Sequence, residues 1–210
     1  MVRILGLSAS PRKAATEFCV HKALEAAETI PGVETRYISI RGKKIGYCVH
    51  CDRCREGKEC MIRDDVDEII EQIVESDGLI IGSPVYTMTA TPQLLAIFNR
   101  MRPLRKRMPD GFWGKVGGVI AVGGTRNGGQ ETTIATIVHC MLARGMTVVG
   151  GSTGYYSGAK VWTDNQDEQG ARLDELGLKG VTDIGRRVAA QACQLKGIES
   201  IGNLGEYTCD

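Results

Sequence analysis

Residues 2–16, VRILGLSASPRKAAT, set an apolar, β-branched run from Val2 to Leu7 against an abrupt break at Ser8-Ala9-Ser10-Pro11-Arg12. The run reads as a buried strand. From Thr16 to Ala27 the apolar residues recur at helical spacing, and Pro31-Gly32 closes the unit. The same alternation repeats along the chain. Strand patterns at Val33 to Ile40, Leu79 to Ile81, Lys115 to Val122 and Met146 to Val149 are interleaved with helical ones. These helices open at Asp64-Asp65 and run from Pro92 to about Met101, Glu131 to Leu142 and Leu178 to Leu195.

Near-continuous apolar strands alternating with helices predict an α/β fold in which a parallel sheet is covered on both faces. The simplest such fold is a doubly wound five-stranded parallel sheet of flavodoxin-like order, with residues 1–210 as one domain. A cysteine-rich excursion at about 45–62 follows strand two. In such sheets ligands lie outside the carboxyl ends of the strands. The loops after strands one, three and four therefore form the candidate site.

The first of these loops, Ser8 to Thr16, carries hydroxyls into a helix N-terminus, where unpaired amides and the helix dipole favour a phosphate. An N-cap with a solvated basic turn is the plainer reading. The second, Ser83-Pro84-Val85-Tyr86-Thr87-Met88-Thr89, suits the edge of a flat heteroaromatic ring. The third, Gly123 to Gly129, leaves backbone bare for close approach by a ligand, or simply makes the turn. No GxGxxG follows strand one, so a dinucleotide fingerprint is absent. One ligand, FMN, satisfies all three loops.

Cys48, Cys51, Cys54 and Cys60 have the spacing C-x2-C-x2-C-x5-C. Three thiolates at successive three-residue intervals suit one compact 4Fe-4S cluster with Cys60 as a local fourth ligand. Structural zinc usually takes cysteine pairs separated by a longer excursion, and it stays open together with unligated thiols. A disulfide knot is disfavoured by the low cysteine fraction and by a cytoplasmic reading, since the N-terminus reads as a strand and not as a secretory leader. Cys19, Cys140 and Cys193 fall in helical patterns and read as buried small hydrophobes, and Cys209 as a tail residue.

The balance of 26 basic and 25 acidic residues offers nothing to nucleic acid or to an anionic membrane, and no apolar run approaches a bilayer span. The block Arg100 to Arg107 reads as a solvated basic helix end, with a dock for an acidic ferredoxin or for an NADPH phosphate as its functional reading. His21 and His139 read as isolated helix residues, and His50 as a surface residue or a hydrogen-bond partner of the cluster. Tyr155 and Tyr156 read as an amphipathic edge, or as a cap on a flavin or an oligomer contact.

SASPRKAAT, SPVYTMTATPQLL, GGTRNGGQET and the compact cysteine motif, in this order, resemble the iron-sulfur flavoproteins of the NADPH-dependent FMN reductase and flavodoxin-like superfamily. The resemblance covers roughly residues 1 to 160. It implies FMN, a 4Fe-4S cluster and homo-oligomers, dimers or tetramers. Electrons would pass from a ferredoxin-like donor through the cluster to FMN and on to a small acceptor such as dioxygen or hydrogen peroxide.

Carried over by position, Ser8, Ser10, Pro11, Arg12, Ala15 and Thr16 would surround the phosphate, and Pro84, Val85, Tyr86 and Thr87 the isoalloxazine. Gly123, Gly124, Thr125 and Gly128 would approach its pyrimidine side, and Cys48, Cys51, Cys54 and Cys60 would hold the cluster. Ala15 stands where many relatives have asparagine, which removes a polar contact. Asn99-Arg100 stands where they have an Asp-Arg pair, which removes an ion pair. The rival functions are an NAD(P)H-dependent FMN or quinone reductase without a cluster, and a flavin-binding electron carrier with no substrate of its own.

Overall fold

The computed structural model describes residues 1–152 and 154–198. Five strands lie parallel in the order β2-β1-β3-β4-β5: β1 (Val2–Ser8), β2 (Val33–Ser39), β3 (Gly78–Pro84), β4 (Val116–Gly123) and β5 (Thr147–Val148). A short sixth strand, β6 (Ala159–Trp162), also pairs with β4.

The fifth position was expected at Met146 to Val149 as one strand; two segments share it. β5 pairs Val116 and Gly117, and β6 takes over at Ile120 to Gly123. Between them Gly151 N donates to Tyr156 O (2.8 Å) and Tyr156 takes a left-handed φ of 55°, which bulges the chain out of the sheet. A four-residue strand beyond such a bulge has too short an alternation to stand out in sequence.

Successive strand residues feed two cores. Leu5, Leu7, Leu79, Ile81, Val119 and Ala121 face α2 (Val66–Glu75), α3 (Pro92–Arg100) and α5 (Gln130–Leu142). Ile4, Ile80, Val116, Ile120 and Val122 face α1 (Ala15–Glu28) and α7 (Glu175–Ile198). Burial on both faces explains why the strands read as continuous apolar runs. Two short helices, α4 (Leu104–Arg107) and α6 (Asp167–Leu173), lie below what periodicity detects. Gly82 lets α1 settle on the sheet: a Cβ there would lie 2.4 Å from Val20 Cγ2 and 3.2 Å from Thr16 Cγ2. This close approach brings Thr16 onto the end of β3.

The excursion after β2 is closed by one buried cation. Arg100, at the last turn of α3, has its side chain 1% exposed and pairs with Asp64, 7% exposed, through Nη1–Oδ2 at 2.9 Å and Nη2–Oδ1 at 3.1 Å. The same guanidinium donates to Gly46 O and Ile62 O, both at 3.1 Å, so it ties the two ends of the cysteine segment together.

The reading of the Arg100 to Arg107 block as a solvated end holds for the exposed Arg105, Lys106 and Arg107 and is corrected at the buried Arg100. Arg102 also pairs with Asp52 (2.9 Å), and Arg107 holds Glu71 through two bonds of 2.7 Å. Asn99 forms no ion pair with Arg100. Arg100 finds its acid in Asp64, thirty-six positions earlier, while Asn99 turns back to Leu95 O (3.0 Å). Partners this distant carry no signature in local sequence.

Burial pushes the Asp64 carboxyl up, but hydrogen bonds from Arg100 and from the Gly46 and Val66 amides hold it below the ordinary aspartate value of 3.8. A group depressed in the folded state stabilises above its unfolded value, and that contribution is lost as pH falls through the folded value. The stability gap between wild type and Asp64→Asn is expected to be flat from neutrality to roughly pH 5 and to close in stronger acid. Asp64→Ala, which strands the Arg100 charge, is expected to cost about 3 to 5 kcal/mol in urea unfolding. A gap that persists unchanged into acid excludes the pair as its origin.

Candidate functional site

The carboxyl ends of β1, β3 and β4 bring three loops to one edge, where hydrogen bonds join them. Ala9 N donates to Gly82 O (2.7 Å) and Thr91 Oγ1 to Ala9 O (2.9 Å), which fastens the second loop to the first. Val85 N donates to Val122 O (2.9 Å) and Thr132 Oγ1 to Met88 O (2.5 Å), which fastens the third to the second.

In the first loop Ser8 and Ser10 are buried, Pro11 and Arg12 exposed, and Ala15 and Thr16 buried in the opening turn of α1. Ser10 Oγ donates to Arg12 O (2.9 Å) and accepts from Arg12 N (3.3 Å), which curls the loop over the helix start. The first bond of the helical ladder runs from Phe18 N to Ala14 O (3.2 Å), so the amides of Ala15, Thr16 and Glu17 precede it. Ser8 Oγ is buried at the end of β1, beside the Tyr37 hydroxyl.

The second loop is a tight hairpin. Tyr86 and Thr89 exchange two backbone bonds, of 2.8 and 3.0 Å, around Thr87 and Met88, whose φ values of 47° and 65° are both left-handed. Two consecutive residues at positive φ match a type I′ turn, whose twist suits a hairpin but which normally calls for Asn or Gly. Holding Thr and Met there concentrates backbone strain at this edge. The hairpin leaves Tyr86 40% and Met88 54% exposed.

In the third loop Gln130 bridges the turn: its side chain accepts from Gly128 N (2.9 Å) and donates to Thr125 O (2.9 Å). Gly123 ends β4, and Gly124 has no room for a side chain, since a Cβ would lie 2.2 Å from Asn165 Oδ1.

That neighbour belongs to a fourth wall that sequence reading missed, the turn between β6 and α6. Asn165 N donates to Gly124 O (3.2 Å) and Trp162 Nε1 to the same oxygen (3.1 Å). Asp167 pairs with Arg12 at 2.6 Å, so one of the two cationic side chains of the first loop is engaged from across the edge. Asp164, Asn165 and Asp167 all take positive φ. The Thr-Asp-Asn-Gln-Asp run was the available signal, since Asn and Asp tolerate that conformation.

The cysteine excursion leaves from this same edge, where Ile40 N donates to Ser8 O (3.1 Å). It then folds against the far end of α3. Cys48, Cys51, Cys54 and Cys60 line one hollow, together with Met61, Asn99, Arg100 and Arg102. Nine helical residues span about 13 Å, which separates that wall of the hollow from the N-terminus of α3 beside the hairpin. Among the described residues, no three His, Cys, Asp or Glu side chains are disposed around one point as a metal ion requires.

The remaining cysteines stand apart from the hollow. Cys19 is buried, and burial pushes its thiol up to about 12. Cys140 and Cys193 are half-buried, and burial also raises the Cys140 thiol. Cys209 lies outside the described residues. His21 stacks on Tyr37 at 4.1 Å, and His50 Nδ1 lies 3.3 Å from Arg102 Nη1. Tyr156 is 75% exposed. Among the described residues no helix is long and apolar enough to cross a membrane.

The chain matches the family described as NADPH-dependent FMN reductase over residues 2–160. It is 41% identical over 180 residues to an iron-sulfur flavoprotein of Methanocaldococcus jannaschii, covering 85% of this chain and 90% of that one. To an iron-sulfur flavoprotein of Methanosarcina thermophila it is 36% identical over 188 residues, covering 89% and 93%. In fold it resembles a flavodoxin, WrbA-like protein of Agrobacterium tumefaciens, with a TM-score of 0.61 at 16% identity over 91% of this chain and 97% of that one. With its three loops gathered at the edge of a flavodoxin-like sheet, the chain belongs to the iron-sulfur flavoproteins of the NADPH-dependent FMN reductase family, which makes it a flavin-dependent oxidoreductase.

Proposed function

We propose that this oxidoreductase holds FMN at the three-loop edge and a 4Fe-4S cluster in the Cys48–Cys60 hollow. A ferredoxin-like protein would be its electron donor and dioxygen or hydrogen peroxide its acceptor. The observation that carries the reading is the gathering of all four loop cysteines around a single hollow lined also by Arg53, Arg100 and Arg102. Such a donor set suits iron and sulfide, and the cations offset the negative charge of four thiolates. Bound there, the cluster would pass single electrons while FMN stores two, which suits a one-electron donor and a two-electron acceptor.

The chain's own residues supply binding and electrostatics. Fit to a flavin phosphate is supported by the open helix start, where the amides of Ala15, Thr16 and Glu17 precede the first bond of the ladder. Thr16, 3% exposed in the first turn of α1, adds a hydroxyl to the amides that precede the helical ladder. The ring end meets the Pro84 to Thr87 hairpin on one side and the side-chain-free backbone of Gly123 and Gly124 on the other. The fixed hairpin orients the isoalloxazine, and the exposed Tyr86 and Met88 limit the access of water to its edge. Arg12 reaches the phosphate by leaving Asp167, with which it forms an exposed and hence weak pair. Homo-oligomers, dimers or tetramers, would bring the cluster loop of one subunit and the flavin edge of the same or another within reach.

Two measurements test this reading. A carboxylate in the seat repels a phosphate, so Thr16→Glu protein is expected to purify with less than a tenth of the wild-type flavin by absorbance; full retention would move the seat elsewhere. Anaerobic metal and sulfide analysis is expected to show iron lost from Cys54→Ser with flavin retained. In rapid mixing with reduced ferredoxin, flavin reduction in that variant should slow at least tenfold. Undiminished reduction by ferredoxin would sink the relay, and wild type free of iron but reduced by NAD(P)H would identify the cluster-less reductase.

A further inference from the structure

Among the described residues Arg100 is the only lysine or arginine that is fully buried, at 2% exposure. Its terminal nitrogens are engaged at the neck of the cysteine loop by Asp64, Gly46 O and Ile62 O, with Asp67 at 3.8 Å beyond. Its Nε is also buried, yet has no hydrogen-bond partner among the described residues. A buried N–H left unpaired is costly, which makes the atom a marker for a missing acceptor. The same side chain lines the hollow shared by Cys48, Cys51, Cys54 and Cys60.

We propose that Arg100 is a positioning residue for the cluster: its Nε–H is the donor reserved for a cluster sulfur, and its buried charge sets the reduction potential. This rests on the reading of the hollow as the cluster site. Reduction adds one negative charge to a cluster, so a fixed cation and an N–H donor stabilise the reduced form and raise the potential. Arg102 also borders the hollow and contacts Cys48, but its side chain is 27% exposed and paired with Asp52, so its charge is better screened than that of the buried Arg100. Asp64 acts in the opposite sense, offsetting part of the Arg100 charge.

The two members of the pair therefore predict shifts of opposite sign. A role confined to holding the neck closed would disturb the cluster in the same way when either is changed. The test is an anaerobic redox titration of the flavin-loaded holoprotein, followed by the paramagnetic signal of the reduced cluster. Arg100→Gln is expected to make the cluster about tenfold harder to reduce at a given poise, a shift of about 59 mV to more negative potential for one electron. Asp64→Asn, which keeps shape and an acceptor, is expected to shift it to more positive potential, and Arg102→Gln to move it less than Arg100→Gln.

If Arg100→Gln purifies without iron, Asp64→Asn decides: a raised potential supports the assignment, and an unchanged or lowered one overturns it. Unshifted potentials in iron-replete Arg100→Gln overturn it, as does an equal shift from Arg102→Gln. Wild type without iron overturns the cluster reading and this assignment with it, whereas iron present with potentials unmoved overturns this assignment alone.

Discussion

In a sheet whose strands all run one way, every connection leaves from one edge and must return to the other, and that constraint assembles the site. β1, β3 and β4 are the central strands, paired over five to seven registered positions, so the loops that follow them emerge side by side. Nothing in the loops themselves needs to bring them together. The cross-links found there, Thr91 to Ala9 and Thr132 to Met88, only fix distances that topology has already made short. A hairpin with two non-glycine residues at positive φ persists on such a foundation because strands buried on both faces do not shift to relieve it.

The cysteine excursion is held by a different principle. Its residues are mostly exposed or half-buried and it contains no regular element, so burial contributes little to its conformation. What fixes it is Arg100, a residue of another element, which closes the neck through four hydrogen bonds, two of them to Asp64. Charge-assisted bidentate bonds are among the strongest single contacts available to a side chain. They are also directional, so the loop that four thiols share is held at its ends by Arg100 and within by Arg102, which pairs with Asp52.

How far the sequence discloses this arrangement follows from the range over which its signals act. The strands and long helices are written in local apolar periodicity, and the parallel order follows from their alternation. Ser8, Thr16, Gly123 and the four cysteines are visible because the chemistry of each loop is contiguous. Asp167 meeting Arg12, and Asp64 meeting Arg100, are contacts between residues far apart in the chain, and a basic block reads as solvated until its acids are found. β6 and α6 were hidden for another reason: four and seven residues give too few periods to distinguish a pattern from chance. The turn that joins them supplies a wall of the site, so its neighbours at Gly124 became legible only once the chain was folded.

The two sites accordingly respond differently to change. The three-loop edge is made of amides, hydroxyls and bare glycine backbone on a rigid sheet, so its shape is present before any ligand arrives. The cysteine hollow is different in kind, because four thiols become mutually repelling anions on deprotonation and would need a metal to hold them together. Arg100 belongs to both regimes. Its pair with Asp64 is complete without any cluster, while its Nε remains without a partner until something accepts from it. A residue so placed makes the closed neck of the loop part of the environment that any electron entering the hollow would meet.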